Sequence, residues 1–124
     1  MKYASFATEG TLTPDHLVSG NHELLIGRKI IVLSGQNLTR GAVIGKITTG
    51  GKYKLSLSAS SDGSETPDLI LAEDANASSA DLSALAYARG DFTTAALTIG
   101  TGHTAASITE GLRAKGINLF AAIA

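Results

Sequence analysis

The chain has 124 residues, the length of one ordinary domain. Ten basic and 11 acidic residues leave a formal net charge of −1, so nothing indicates a basic surface for nucleic acid or a polybasic membrane anchor. Cysteine is absent, which excludes disulfides, thiolate catalysis and cysteine-based metal sites. The start of the chain does not resemble a signal peptide, and no run of about 18 apolar residues occurs, so we expect synthesis in the cytosol and no membrane segment.

Small side chains dominate the apolar content. Alanine supplies 19 residues and glycine 14, whereas tryptophan is absent and Phe and Tyr contribute three each. Small side chains bury little area, and each buried Å² is worth only about 25 cal/mol, so we expect a thin core. Contacts between subunits are therefore expected to supply part of the stability.

Residues 1–23 show no sustained apolar period. Their large apolar side chains are scattered among polar residues, and Pro14 favours an extended residue before it. We predict a flexible N-terminal arm over 1–23, followed by a single β-rich domain over 24–124.

A β-hairpin is the clearest local prediction. An apolar strand over 42–47 leads through two threonines into Gly50-Gly51, and a second strand follows over 52–58. The second strand alternates apolar and polar residues, which is the period of a half-buried strand; its apolar positions are Tyr53, Leu55 and Leu57. The glycine pair supplies the positive φ of a tight turn.

Other short apolar or β-rich runs predict further strands at 30–33, 68–72, 83–89 and 92–99. Polar segments rich in turn formers predict a turn or loop at 35–37, 58–67 and 73–81. Both faces of 83–89 are apolar, so we expect that strand to be well buried. Gly90-Asp91 then predicts a tight turn, which would make 89–93 a second hairpin.

One short helix is predicted near the C-terminus. The Ser-Ile-Thr-Glu segment at 107–110 matches a capping box with Ser107 as the N-cap. Ile108 and Leu112 share one face, cations follow in the last turn, and Gly116 stands where a C-cap is expected. A helix this short must pack on the sheet, and an extended segment over 117–120 follows it.

The residues that could carry chemistry form no catalytic or metal-binding arrangement. The histidines have no metal-ligand spacing and are interpreted as solvated: His16, His22 and His103. The acidic residues after the 68–72 strand lack the calcium-loop pattern and are assigned to a solvated loop: Glu73, Asp74 and Asp81. Gly100-Thr101-Gly102 fits neither nucleotide-binding fingerprint. We therefore expect a binding or assembly protein that is not an enzyme and has no cofactor.

Five segments resemble, in order and spacing, motifs of the lambda-type phage head decoration proteins. LTRGAVIGKI at 38–47 resembles "L-x-R-G-x-V-I-G", and LILAED at 69–74 resembles "A-I-L-A-x-D". AYARGDF at 86–92 resembles "V-x-x-x-G-x-F". LTIG at 97–100 and LRAKGI at 112–117 resemble "A-L-T-x-G" and "L-R-x-x-G-I". The resemblance covers residues 24 to 123.

This resemblance implies a mainly β, compact domain of the β-clip or β-tulip type with one short C-terminal helix. It also implies a homotrimer on the exterior of an expanded phage head, where it stabilises the lattice of the major capsid protein and contacts neither nucleic acid nor membrane. The N-terminal arm would order on the capsid and add to a coat-protein sheet.

Candidate contact residues follow from this assignment. The candidates for capsid contact are Tyr3, Phe6, Leu12, Pro14 and Arg40. Arg40 is equally consistent with a solvated turn residue. The apolar C-terminal segment supplies the candidates for trimer contact, Phe120 and Ile123.

Two other functions are compatible with a small β domain. A biotinyl or lipoyl carrier would need a modifiable lysine at a hairpin tip, and Lys52 is the candidate, although the residues that usually flank such a lysine are missing. A carbohydrate-binding module would need a platform of exposed aromatic side chains, and the chain has six aromatic residues, three Phe and three Tyr.

Overall fold

Nine β-strands and one α-helix make up residues 17–20 and 25–120, which are the part of the chain that the computed structural model describes. The strands are β1 (Val18–Gly20), β2 (Ile26–Val32), β3 (Gln36–Leu38), β4 (Val43–Lys46), β5 (Tyr53–Leu55), β6 (Pro67–Leu71), β7 (Ala75–Ala77), β8 (Leu82–Thr93) and β9 (Ile117–Phe120). Helix α1 is Ala105–Arg113, and Thr94–Ala96 forms a 3-10 turn. The predicted mainly β fold with one short helix near the C-terminus is confirmed.

Five of the strands pair in a closed ring. The first half of β8 pairs antiparallel with β2, and residues in its middle also pair with β6 on the opposite edge. From β6 the ring continues through β4 and β5. It returns to β2 by a parallel contact between Val32 and Tyr53. Because the ring closes, these strands leave few unpaired backbone groups around it.

The second half of β8 leaves the ring and becomes the centre of a smaller sheet. There it pairs antiparallel with β1 and parallel with β9, so that Phe92 lies between Val18 and Leu119. The predicted turn at Gly90-Asp91, and with it the second hairpin, is wrong. Asp91 pairs with Asn118, and the Gly90 N–H donates to the Gly116 carbonyl at 3.2 Å. These non-local pairings outweigh the local turn preference of Gly-Asp.

The ring wall separates two apolar cores. The first core fills the ring with many small side chains: Ile30, Val32, Leu38, Ala42, Ile44, Tyr53, Leu69, Leu71, Ala75, Ala77, Ala84 and Ala86. The second core lies between the outer wall at β4 and β6 and the elements α1, β1 and β9: Leu17, Val43, Ile70, Phe92, Ile108, Leu112 and Ile117. Val43 and Ile44 enter different cores because successive strand residues point to opposite faces.

The predicted hairpin is present as β4 and β5. Ile44 pairs with Leu55 and Lys46 pairs with Tyr53, with Gly50 and Gly51 in the turn. The predicted alternation fails beyond Leu55, because Ser56 is fully buried rather than solvent-facing. Its N–H donates to the Val43 carbonyl at 3.0 Å, which keeps this part of the chain against the ring.

Two predicted loops contain a small β-ribbon. Strand β7 lies inside the predicted loop 73–81, and β3 overlaps the predicted turn at 35–37, which begins instead at Ser34. The two strands pair antiparallel, with Asn37 opposite Asn76. Neither strand shows an apolar period, because each is only three residues long and its partner is distant in sequence.

Helix α1 begins earlier than predicted. Thr104, not Ser107, is the N-cap, and its Oγ1 accepts from the Ser107 N–H at 3.1 Å while the Ser107 Oγ accepts from the Thr104 N–H at 2.9 Å. The predicted buried face, Ile108 and Leu112, is confirmed. The C-cap is Ala114 rather than Gly116, although a positive φ of 94° at Gly116 forms the turn into β9. None of the described helices has the length and hydropathy needed to cross a membrane.

The C-terminal end of the predicted arm belongs to the folded sheet. Leu17 is only 1% exposed and lies in the second core, and Val18–Gly20 forms β1. Residues 1–16, 21–24 and 121–124 lie outside the described residues, so the rest of the predicted arm stays a prediction.

Replacing Gly50 in the hairpin turn is expected to destabilise the protein. Gly50 has a φ of 93° with open space around it, so Gly50→Val would be resisted by backbone strain alone, at about 1–2 kcal/mol. Gly50→Asn should lose less, because asparagine tolerates this region. Thermal unfolding of both variants measures the difference, and equal melting of Gly50→Val and the wild type would contradict the turn assignment.

Replacing Gly45 tests the close approach of a loop to the ring wall. A Cβ at Gly45 would stand 2.1 Å from the Ser64 carbonyl oxygen, so Gly45→Ala should lower the free energy of unfolding by about 1–3 kcal/mol. The matched control is Gly111→Ala, where no atom lies within 4 Å, and where alanine should stabilise the helix by about 0.5–1 kcal/mol. Denaturant unfolding that ranks the two variants the other way would refute this packing.

Candidate functional site

Most of the predicted capsid-contact residues lie outside the described residues. They are in the segment 1–16, which joins the described structure at Leu17: Tyr3, Phe6, Leu12 and Pro14. Ile123, a candidate for trimer contact, also lies outside the described residues. These assignments stay predictions.

Arg40, the remaining candidate for capsid contact, connects three parts of the fold. Its Nη1 donates to the Ala72 carbonyl at 2.8 Å and to the Tyr87 hydroxyl at 3.0 Å. Its guanidinium carbon lies 5.7 Å from the centre of the Tyr87 ring, within the range of a cation–π contact. Its backbone N–H donates to Asp74 Oδ1 at 2.8 Å. Arg40 is therefore not a merely solvated turn residue, because it ties β8 and the β6–β7 loop to the β3–β4 connection.

Phe120 is an exposed aromatic side chain at the end of β9. It is 49% exposed and pairs with Thr93 at the end of β8. The other aromatic residues in the described part of the chain are covered: Tyr53 and Phe92 are buried, and Tyr87 is half-buried. Phe120 is therefore accessible to a neighbouring subunit, as the trimer-contact prediction requires. A row of exposed aromatics, as in a carbohydrate platform, is not formed by the described residues.

Two large aliphatic side chains on the predicted strands are exposed. Leu85 is 44% exposed, so the predicted burial of both faces of 83–89 is wrong, and Ile31 on the predicted strand 30–33 is 41% exposed. Alternation along β8 sends Ala84 and Ala86 into the ring, and Leu85 therefore points outward. The alternation of small alanines with larger residues was the sequence signal that could have separated the two faces.

All eight acidic side chains of the described residues have partners within the chain. Four form ion pairs: Asp62 with Lys54 at 3.0 Å, Asp68 with Lys115 at 2.8 Å, Asp81 with Lys52 at 2.6 Å, and Glu110 with Arg113. The other four accept from an N–H: Glu65 from Gly63, Glu73 from Leu85, Asp74 from Arg40, and Asp91 from the Asn118 side chain. Glu73, Asp74 and Asp81 are exposed, as expected of a solvated loop, and each also has a partner within the chain. Among the described residues, no group of three acidic or histidine side chains is placed to hold a metal ion.

Hydrogen bonds lower the pKa of three carboxyls. The Ser64 hydroxyl and Lys54 hold the pKa of Asp62 well below its usual range, and Lys52 lowers that of Asp81. Burial would raise the pKa of Asp68, but hydrogen bonds from Lys115 and the Tyr53 hydroxyl outweigh it, and the net pKa is lowered. A carboxyl group with a lowered pKa stabilises the fold at pH values above its pKa in the unfolded chain, which is about 3.9. This contribution is lost as the pH falls through the pKa of the group in the folded protein.

His103 is a structural residue rather than the solvated histidine that was expected. It is half-buried, and its Nε2 lies 3.2 Å from the Ser56 Oγ and 3.0 Å from the Glu65 carbonyl oxygen. These contacts connect the approach to α1 with the chain after β5 and with the 58–67 loop.

Lys52, the candidate for carrier attachment, is paired at the end of the hairpin turn. Its Nζ lies 2.6 Å from Asp81 Oδ2, with 42% of the side chain exposed. Asp81 in turn accepts from the Ser34 N–H at 2.8 Å. Lys52 thus contributes to the connection between the hairpin turn and the start of β8.

A comparison with protein families identifies the chain. The family model described as "Bacteriophage lambda head decoration protein D" matches residues 6–117. The chain belongs to this family. The match runs from the predicted arm through the ring, the hairpin and α1 to the start of β9. The predicted resemblance is confirmed, and the protein is a structural component of the phage virion with a role in capsid decoration. No curated protein sequence matches the chain significantly.

Replacing Arg40 separates its internal role from a contact with the capsid. Arg40→Lys should lower the free energy of unfolding by about 1.5–3 kcal/mol, because an ammonium group cannot keep the planar guanidinium's contact with the Tyr87 ring together with the hydrogen bonds to the Ala72 carbonyl and the Tyr87 hydroxyl. The matched control is Arg113→Lys, on an exposed helix face, which should change stability by less than about 0.5 kcal/mol. Calorimetry measures both values, and equal melting of the two variants would contradict the internal role.

Proposed function

We propose that this protein binds the outer surface of an expanded phage head as a homotrimer and stabilises the lattice of the major capsid protein. The observation that carries the proposal is the family match over residues 6–117. The proposed partners are the major capsid protein and further copies of the chain. The proposed role is mechanical rather than catalytic, requires no cofactor, and follows synthesis in the host cytoplasm.

A closed ring is well suited to a protein that must hold its shape under load. Its five strands pair around the circuit, and the two cores support the wall at β4 and β6 from both sides. Deforming the wall would disturb hydrogen bonds and packing together, and close-packed interiors resist such changes. A clamp between coat subunits requires this resistance.

The two ends of the described chain lie at the same end of β8. β1 begins opposite the end of β8, where Val18 pairs with Phe92, and β9 ends there, where Phe120 pairs with Thr93. Leu17, to which the segment 1–16 with most of the capsid-contact candidates is joined, and the exposed Phe120 are therefore both next to Thr93. This placement supports the proposal that trimer contacts and capsid contacts are made at the same end of the molecule.

The arm is proposed to act by adding a strand to a sheet of the coat protein. Backbone hydrogen bonds would supply affinity. The large apolar side chains of the arm would anchor it, and the candidates are Tyr3, Phe6 and Leu12. Ordering an extended segment costs free energy, so a single arm would bind weakly. Three arms on one trimer would gain about 10²–10⁴-fold in avidity if all three engage at once.

Deleting residues 1–16 tests the arm, and the structure sets the boundary because Leu17 belongs to the second core. The truncated protein should keep its circular dichroism and its trimeric mass by light scattering, but should bind expanded, undecorated heads at least about 100-fold more weakly in co-sedimentation. Undiminished binding would show that the arm is not the anchor. A monomeric mass of the full chain at micromolar concentration would contradict the homotrimer.

A further inference from the structure

An uncovered part of the ring wall forms an exposed face outside the two cores. The β2–β8 platform consists of the outward residues of these two strands: Gly27, Lys29, Ile31, Ser83 and Leu85. Lys29 pairs directly across from Leu85, and Ile31 across from Ser83. The side chain of Leu85 lies over Gly27, where an added Cβ would stand 3.2 Å from Leu85 Cδ1. The platform therefore joins two exposed aliphatic side chains around one cation.

The platform is uncovered because the second core ends beside it. On β8, Phe92 is buried in that core, Tyr87 is half-buried at its margin, and Leu85 is 44% exposed beyond it. Six consecutive residue pairs, from Gly27 with Tyr87 to Val32 with Leu82, join β2 to β8 underneath and support the face. Ile26 and Arg89 pair at one end of the same ladder, and Ile26 is 49% exposed. Contiguous exposed aliphatics on a rigid face indicate a surface that becomes covered in use.

The charge of the platform has no ion-pair partner in the part of the chain that the structure describes. Lys29 lies between the two aliphatic side chains, and Arg89 extends past Gly116, where an added Cβ would be 3.5 Å from Arg89 Cγ. Among the described residues, neither cation has an acidic partner, whereas four other cations form ion pairs with carboxylates. A ligand that covers the aliphatic side chains and brings its own carboxylates would match this face.

From this complementarity of charge and apolar surface we infer that the β2–β8 platform is a second docking surface for the coat protein. The platform binds a coat segment that carries acidic and aliphatic side chains. The inference rests on the proposed function and adds a surface to the arm. A second copy of the chain is a poorer match, because all eight carboxylates of the described residues already have internal partners. Among the described residues no carboxylate is left over to face Lys29 and Arg89, and the inference assigns these carboxylates to the coat segment.

The arm and the platform would have different roles in binding the capsid. The platform lies toward the opposite end of β8 from the arm, since Leu85 and Phe92 are seven residues apart, or roughly 23 Å at the strand rise. An extended arm tethers the protein without fixing its orientation, whereas a rigid face fixes the angle at which each subunit sits. Together they would span two places on the coat lattice.

Charge reversal on the platform tests the inference with the full-length protein. The probe is expanded heads of the phage that encodes this chain, assembled without the decoration protein. Lys29→Glu with Arg89→Glu should weaken binding in co-sedimentation at least about tenfold, because like charges would then face each other. Wild-type binding should also weaken as salt rises, and this salt dependence should shrink in the double variant.

Matched control variants make the same kinds of substitution at surface positions outside the platform. Lys46→Glu reverses another exposed lysine, on β4, and should leave binding within about twofold of the wild type. For the aliphatic part, Leu85→Ser is compared with Leu82→Ser on the opposite face of β8, where Leu82 is 38% exposed. Only Leu85→Ser should weaken binding, and circular dichroism checks that both variants fold.

Lysine footprinting on the wild-type protein provides a second measurement that needs no variant. Acetylation of Lys29 should fall at least about fivefold when the protein is bound to heads, relative to the free protein, whereas that of Lys46 should not change.

The outcomes distinguish the inference from the proposed function. If the wild type binds heads but the double variant binds equally well, or Lys29 stays fully reactive on heads, the platform inference is overturned. If the double variant or Leu85→Ser changes the oligomeric mass by light scattering, the platform is an interface between copies, and the inference is also overturned. If the wild type itself does not bind heads, the proposed function fails and the platform inference fails with it.

Discussion

The rest of the structure depends on one strand, β8, which pairs with four other strands along its 12 residues. The first half of β8 closes the ring against β2 and β6, and its second half holds β1 and β9. Because an unpaired backbone group inside a protein is costly, all four partners must find their register on this one strand. The ring, the second core and the positions of the two chain ends follow from this constraint.

Side chains along β8 change their surroundings as its partners change. Ala86 enters the ring, Leu85 reaches solvent, and Phe92 fills the core under α1. A face that is covered at one end and open at the other is a natural consequence of a strand shared by two sheets. The proposed docking platform is the open end, and the proposed arm leaves from the covered end, so one strand would separate two attachment points.

Polar groups reinforce the same connections. Arg40 binds β8 through Tyr87, and Asp81 holds the start of β8 to the hairpin through Lys52. His103 joins the approach to α1 to the loop before β6. In a chain with few large apolar residues, such contacts fix loops that small side chains could not hold by burial alone. The same use of charge leaves Lys29 on the platform and the neighbouring Arg89 without ion-pair partners among the described residues, and on the platform this charge lies beside exposed aliphatic side chains.

Local chemistry was sufficient for the features whose partners are close in sequence. The Gly50-Gly51 turn, the buried pair Ile108 and Leu112, and the final strand could be predicted because backbone strain, helical periodicity and β-propensity act over a few residues. The family, too, followed from short segments in order. Tertiary structure alone decided that β8 continues through Gly90, that Leu85 is exposed, and that Arg40 is held by groups 32 and 47 positions away. These outcomes depend on partners that are distant in sequence, because only the assembled fold determines which neighbours are present to pair a strand or cover a face.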